Sequence, residues 1–295
     1  MNAHDANTII LSFDMEPDLG SWTSGQRGIR EGTPEILNVL RRQGVPATFL
    51  FTGREAEHNP DIVARVLSDG HEIGCHTMFH ETLGNAVFQM PGDSPVLDAE
   101  IPGRLALATD TVERIAGVRP VSFRAPRLFG STTMVNALED LGYRIDSSYP
   151  AYFHGSDFRP YHPDADDWAR PGNMRIVELP LFYDTDAVTD DPLRRSGDQW
   201  PQLRLHGPNA FADLCRRMFP RARNAQGWSV LCVYLHPWEF VTIPEELTTD
   251  EATIRFKPFL HKNTGRPALE GLDAFIEIMK REGAAFAMMK DLRLD

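Results

Sequence analysis

Short apolar runs alternate with helix-patterned segments along nearly the whole chain, and that alternation is the strongest constraint on its fold. "TIILSF" (8–13) reads as a buried strand, and "TPEILNVLRRQG" (33–44) follows as a helix. In that helix Thr33 suits the N-cap, Pro34 the first helical position, Ile36, Leu37 and Leu40 share a face, and Gly44 is the stop. "PATFLF" is the next strand, "NPDIVARVLSDG" repeats the helix grammar, and "HEIGCH" is a third strand. The helix over "LDAEIPGRLALATDTVERIAG" is expected to break or kink near Pro102. "VSFRAP", "YRIDSSYP", "RIVELPLF", "WSVLCVYLH" and "AAFAMM" supply further strands, with helices over "TMVNALEDLG", "NAFADLCRRMF" and "ALEGLDAFIEIMKREG". Repeated strand–helix units predict a parallel sheet, open or closed into a barrel. The pattern lapses twice, at about 150–172 and 184–207, in stretches rich in Pro, Asp and Arg. Loops of that length are more often functional insertions than boundaries, so one domain over 1–295 is expected.

Composition narrows the partners. A formal net charge of −12 argues against nucleic acid or another polyanion. Three cysteines, far apart and odd in number, imply no disulfide framework. No apolar run approaches the ~18 residues of a membrane helix. The first residues, "MNAHDANTII", lack the basic and apolar regions of a signal peptide, so a cytoplasmic protein is expected.

The chemistry collects where strands end. The first strand runs into Asp14, Glu16 and Asp18; the third ends at His76, with His80 four residues on. "VSFRAP" delivers Arg124, "YRIDSS" Asp146, and "VLCVYLHPWEF" His236. In parallel α/β folds the C-terminal strand ends converge on one face, where active sites lie. The pair in "HTMFH" can point two imidazoles at one cation, and a carboxylate from the first strand would complete a two-histidine, one-carboxylate set with positions left open. Taken alone, each residue has a plainer reading. Cys75 reads as core, His71 as a turn residue, and His154, His162 and His206 as surface positions. Trp238 suits packing and sugar stacking equally, and Arg127 could meet an anionic substrate group.

"LSFDMEPD", "HEIGCHTMFH", "FRAP" and "YLHPWEF", in that order and spacing, resemble the motifs of the polysaccharide deacetylase family of carbohydrate esterases, over about Thr8 to Met289. The resemblance implies a distorted (β/α) barrel of about seven parallel strands. It also implies metal-dependent hydrolysis of an N-acyl group, usually acetyl, on an amino sugar. The family's first motif commonly has adjacent aspartates; here Met15 takes the second place and Glu16 follows, as in an acid–x–acid branch. By similarity to that branch Asp14 is the base and Glu16 joins His76 and His80 as metal ligand, with the converse division as the alternative. The ion implied is zinc, with cobalt, nickel or manganese as alternatives. The resemblance further implies His236 as the acid that protonates the leaving amine, Asp146 as its orienting carboxylate and Arg124 as the partner of Asp14. It also implies an oxyanion donor at a backbone N–H near the "RAP" turn. The expected partner is a small-molecule or glycan substrate, with a homo-oligomer not excluded by anything in the sequence. Two other functions compete: an amidohydrolase of the same fold acting on a cyclic imide or ureide, and a non-catalytic carbohydrate binder.

Overall fold

The computed structural model of the chain describes residues 7–294 apart from 21–22, 87–94, 155–156, 189–196 and 249. Ten strands and nine α-helices follow in chain order among them. The strands are β1 Asn7–Met15, β2 Thr48–Phe51, β3 Glu72–Cys75, β4 Ser122–Phe123, β5 Ile145–Asp146, β6 Val177–Glu178, β7 Ser229–Leu235, β8 Glu246–Thr248, β9 Thr253–Arg255 and β10 Ala285–Ala287. The helices are α1 Thr33–Gln43, α2 Gly53–His58, α3 Pro60–Ser68, α4 Ile101–Ala116, α5 Thr132–Asp140, α6 Ala151–His154, α7 Gln202–Met218, α8 Pro258–His261 and α9 Arg266–Arg281.

The sheet is parallel and curled in the order β7-β1-β2-β3-β4-β5-β6, with short β10 beside the first half of β1. No ladder joins β6 to β7 among the described residues, so the half-barrel stays open there. Strand β1 is the hub because it is buried on both sides, with apolar side chains from Ile9 to Met15 interrupted only by Ser12 and Asp14. Phe13 stacks on Phe49 of β2 at 4.9 Å between ring centres, and helices cover the outer face.

Register sets the working rim. Met15 pairs with Phe51, Phe51 with Cys75, Cys75 with Phe123, Phe123 with Asp146 and Asp146 with Glu178. On the other edge Phe13 pairs with Leu235. The next residues of these strands, among them Glu16, His76, Arg124 and Ser147, therefore emerge on one level, and His236 emerges beside Asp14. Every one of them lies at the C-terminal end of a parallel strand.

Several local expectations shift. Thr33 is buried inside a helix rather than capping one, because a π-helical turn over Gly28–Gly32 runs directly into α1. Gly44 does end α1, in the left-handed conformation at φ 66°. Pro102 sits in the first turn of α4, where a missing N–H costs nothing, and starts the helix instead of breaking it. Helix α2 went unread, although Thr52 and Glu55 carry the start signal and the Thr52 hydroxyl accepts from the Glu55 N–H. The second irregular stretch is helical from Gln202, with Gly207 at φ 84° making a kink before Pro208. The exposed hairpin β8–β9 was also unread.

The turn at Gly28–Gly32 lies against the backbone of Pro237 and Trp238. A Cβ on Gly28 would stand 2.3 Å from the Trp238 nitrogen, and one on Gly32 would stand 2.4 Å from the Pro237 carbonyl oxygen. Backbone meets backbone there, so nothing can rotate away. Gly28→Ala is expected to destabilise the protein by about 1–3 kcal/mol through overpacking. Gly103→Ala, at an exposed helical position with open space around it, should instead stabilise by about 0.4–1 kcal/mol. Urea melts that gave both substitutions the same sign would contradict this packing.

Candidate active site

Six of the residues singled out in the sequence come together at the rim. Glu16, His76 and His80 present one carboxylate oxygen and two imidazole nitrogens within 4.8 Å of one another, all buried. Glu16 Oε2 lies 2.5 Å from His80 Nε2 and 3.7 Å from His76 Nε2, and Glu16 Oε1 lies 3.8 Å from His236 Nε2. His76 Nδ1 sits 2.7 Å from the Arg124 carbonyl oxygen, which fixes that nitrogen as the donor and leaves Nε2 bare toward Glu16. Burial alone would raise the Glu16 carboxyl. The charges of His80 and His236 and hydrogen bonds from His76 and His80 overcome that and hold it well below the usual carboxylate range. Burial pushes His80 the other way, toward the neutral imidazole that a ligand must be. One carboxylate and two imidazoles fit a divalent transition-type ion in donor type and number.

Asp14 stands beside this group, paired with Arg124. The guanidinium is fully buried, so each of its five N–H groups must find an acceptor. Nη1 donates to Asp14 Oδ1 at 2.7 Å and to Ser12 Oγ at 2.9 Å. Nε donates to the Ser147 carbonyl oxygen at 2.9 Å, and Nη2 to Ser147 Oγ at 3.0 Å and Cys232 Sγ at 3.3 Å. Only one oxygen of Asp14 is engaged by this arginine.

His236 is boxed by rings. Trp238 stacks on it at 5.1 Å and 24°, Trp200 meets it edge-on at 5.1 Å, and Tyr234 meets it edge-on at 5.9 Å. The carboxylate beside its Nδ1 is Glu239, at 3.1 Å, and not Asp146. Glu239 Oε1 also accepts from the His236 N–H at 2.9 Å and from Trp200 Nε1 at 2.6 Å, while Oε2 accepts from Arg204 Nε at 3.0 Å. Burial would drive His236 toward neutrality, but the charges of Glu16 and Glu239 overcome it and raise the imidazole to about 9. Both carboxylates thus favour the charged imidazole.

Three expectations change in place or role. Asp146 ends β5 with its oxygens toward Ser148 and Glu178, away from His236. Trp238 is 2% exposed and its Nε1 donates to Glu16 Oε1 at 3.2 Å, so it has no open face on which a sugar could stack. The Ala125 N–H of the "RAP" turn is taken by Ser148 Oγ at 2.9 Å. Arg127 does reach the rim, donating from Nη1 to Thr82 Oγ1 at 3.0 Å, with its charge acting on His80. Asp18 caps the turn before α1, accepting from the N–H groups of Arg27 and Gly28. The plain readings of Cys75 and His71 hold: the thiol is wholly buried and pushed up to about 12, and His71 Nδ1 accepts from the Ala47 N–H. The His154 side chain lies outside the described residues. Glu239, Trp200 and Arg204 were missed. Glu239 carried a signal, an acid three residues after His236 at a helical turn, whereas Trp200 and Arg204 sit in the irregular stretch and reach the site only through tertiary folding.

The sequence profile of the polysaccharide deacetylase family, described as "Polysaccharide deacetylase", matches residues 2–145. Over that stretch, just under half of the chain, the sequence resembles this family. It is 29% identical over 169 residues to a peptidoglycan-N-acetylglucosamine deacetylase of Bacillus cereus, covering 57% of this chain and 64% of the relative. It is 32% identical over 149 residues to a chitooligosaccharide deacetylase of Sinorhizobium fredii, covering 50% of this chain and 59% of the relative. The match thus spans roughly three-fifths of those relatives' length. Among solved structures, a candidate polysaccharide deacetylase from Mycobacterium smegmatis superposes with a TM-score of 0.63 at 21% identity, over 99% of this chain and 90% of that one. An allantoinase gives the same TM-score at 17% identity and the same coverages. At these identities the two structures show a common fold, the (β/α) barrel of the family. No helix among the described residues is long and apolar enough to cross a membrane.

The surroundings of Glu16, His76 and His80 are testable apart from any activity. Trp238→Phe keeps the ring on His236 and removes only the hydrogen bond to Glu16. It should weaken zinc binding by about 10-fold, the lower end for loss of a supporting partner. His80→Ala should abolish binding. Competition titration with a chelating dye measures both, and unchanged affinity in Trp238→Phe would show that the hydrogen bond does nothing for the ligand set.

Proposed function

We propose that this chain hydrolyses the N-acetyl, or another small N-acyl, amide of an amino sugar or glycan precursor. The observation that carries the reading is the set Glu16, His76 and His80 flanked on one side by the Asp14–Arg124 pair and on the other by His236. The relatives named as deacetylases of peptidoglycan, chitooligosaccharide and chitin support it. A divalent ion held by Glu16, His76 and His80, zinc by preference, supplies Lewis acidity toward the amide oxygen and the attacking water.

The chain's own groups do the proton work. Asp14, with one oxygen on Arg124 and the other unclaimed by that arginine, is placed to take the proton of the attacking water. The fixed guanidinium orients that carboxylate for the attack. An amine leaves poorly unless protonated, and His236 holds the proton required. Its Nδ1 faces Glu239, so Nε2, which points toward Glu16, is the nitrogen that donates. Asp14 as base on the attacking water and His236 as acid on the leaving amine divide the proton work of a single amide cleavage.

Two outcomes follow. Asp14→Asn should lower kcat by about 10²–10⁴-fold, the range of a lost general base, with zinc affinity retained. A panel of N-acetylated amino sugars beside cyclic ureides, read by acetate and ring-opened product, gives the substrate; turnover of ureides alone would overturn the amino-sugar reading. The second outcome concerns pH. His236 is raised in part by Glu239, so activity that needs the charged imidazole is present at neutral pH and is lost as pH rises through its pKa. Glu239→Gln removes the negative charge, lowers that pKa and should move the alkaline limb of kcat to lower pH. A limb that stays in place would remove His236 as the acid.

A further inference from the structure

A second pair of buried acids lies behind the site, and the mechanism above makes no use of it. Asp146 ends β5 and Glu178 ends β6, and the two are register partners on adjacent parallel strands. Both are 0% exposed. Asp146 Oδ1 accepts from Ser148 Oγ at 2.5 Å. Glu178 Oε1 accepts from the N–H groups of Ser148 and Tyr149 at 3.1 and 2.9 Å. The other oxygen of each, Asp146 Oδ2 and Glu178 Oε2, meets no donor from the rest of the protein. The two carboxyls, on paired residues of adjacent strands, act on one another.

Two ionised carboxylates so placed, each with a bare oxygen, would repel with nothing to offset it, whereas one proton between them satisfies both oxygens and halves the charge. Burial pushes both acids up, Asp146 to about 6 and Glu178 well above its ordinary value, with Asp146's charge adding to the rise.

We propose that Asp146 and Glu178 share one proton and serve as positioning residues for the Asp14–Arg124 pair. The link is the segment between the two acids. Ser148, held by Asp146 and Glu178, accepts the Ala125 N–H through its Oγ and so fixes the backbone that carries Arg124. Ser147, next in line, takes Arg124 Nε on its carbonyl and Nη2 on its hydroxyl. With those donors committed, Nη1 is left for Ser12 and Asp14. A doubly ionised pair would be a competing anionic site within the field of Arg124; a singly charged pair leaves the arginine on Asp14. This gives Asp146 a role although it does not touch His236. The catalytic meaning of the pair rests on the reading of Asp14 as the base.

Glu178→Gln is the decisive substitution. Its carbonyl oxygen can accept both N–H groups, and its amide N–H can replace the shared proton toward Asp146 Oδ2. Glu178→Leu keeps the bulk and loses both. Expected are near wild-type kcat in Glu178→Gln and a kcat lower by about 10- to 100-fold in Glu178→Leu, as for a slightly misplaced catalytic group, with KM and zinc content unchanged in both. The infrared difference between wild type and Glu178→Gln at neutral pH should show the carbonyl stretch of one neutral carboxylic acid in the wild type. Loss of activity in Glu178→Gln as deep as in Glu178→Leu, or full activity in Glu178→Leu, would overturn the positioning role. Absence of the neutral-acid band would overturn the shared proton. If Glu178→Leu does not fold, Glu178→Gln and the infrared band decide alone. The infrared arm needs no turnover, so it stands or falls separately from the base reading, which fails only if Asp14→Asn turns over at the wild-type rate.

Discussion

A fully buried guanidinium holds this site together. Taking Arg124 out of water costs several kcal/mol unless its charge is paired and its donors are met. Asp14 supplies the charge, and Ser12, Ser147 and Cys232 supply the remaining acceptors. Those partners come from three other strand ends, so the arginine can be satisfied only when β1, β5 and β7 stand in their observed register around β4. The Arg124 carbonyl then holds His76 Nδ1 and so aims Nε2 at Glu16. One residue thereby ties Asp14 to Glu16 and His76, and removal of either member of the Asp14–Arg124 pair leaves a buried charge without a partner.

The surroundings of His236 are built separately. Glu239 gathers the His236 ring, the His236 backbone N–H, Trp200 and Arg204 on its two oxygens. Trp238 bridges the halves, with its face on His236 and its N–H on Glu16. Backbone conformation at the rim is strained in the same place. Leu19, Thr77, His80, Arg127 and Leu128 all adopt positive φ without being glycine, and only Asn263 does so elsewhere among the described residues. Such conformations cost roughly 1–3 kcal/mol each and persist where surrounding contacts over-determine them.

How much of this was legible follows from where the signals sit. Polar residues closing apolar runs gave Asp14, Glu16, His76, Arg124 and His236, because a parallel sheet forces consecutive strand ends onto one rim. The spacing of "HTMFH" gave His80, and the ordered motifs gave the family resemblance and the half-barrel. Long strands were overread: "VSFRAP" and "YRIDSS" each keep only two ladder residues, since their later residues leave the sheet to make the site's hydrogen bonds. Asp146 was drawn to His236 by motif order alone. Burial of the Trp238 ring, and the use of Glu239 in place of Asp146, depend on Trp200 and Arg204, which lie where the sequence carries no periodic signal to place them.

The central claim is that Glu16, His76 and His80 hold the ion that makes Asp14 and His236 an amide-cleaving pair. Titrating zinc into metal-stripped protein while following acetate release from N-acetylglucosamine oligomers tests it most directly. The account predicts no turnover without the ion, a linear rise that saturates at one zinc per chain, and no response in Glu16→Gln. Full turnover by the stripped protein, or saturation that Glu16→Gln leaves unchanged, would contradict it.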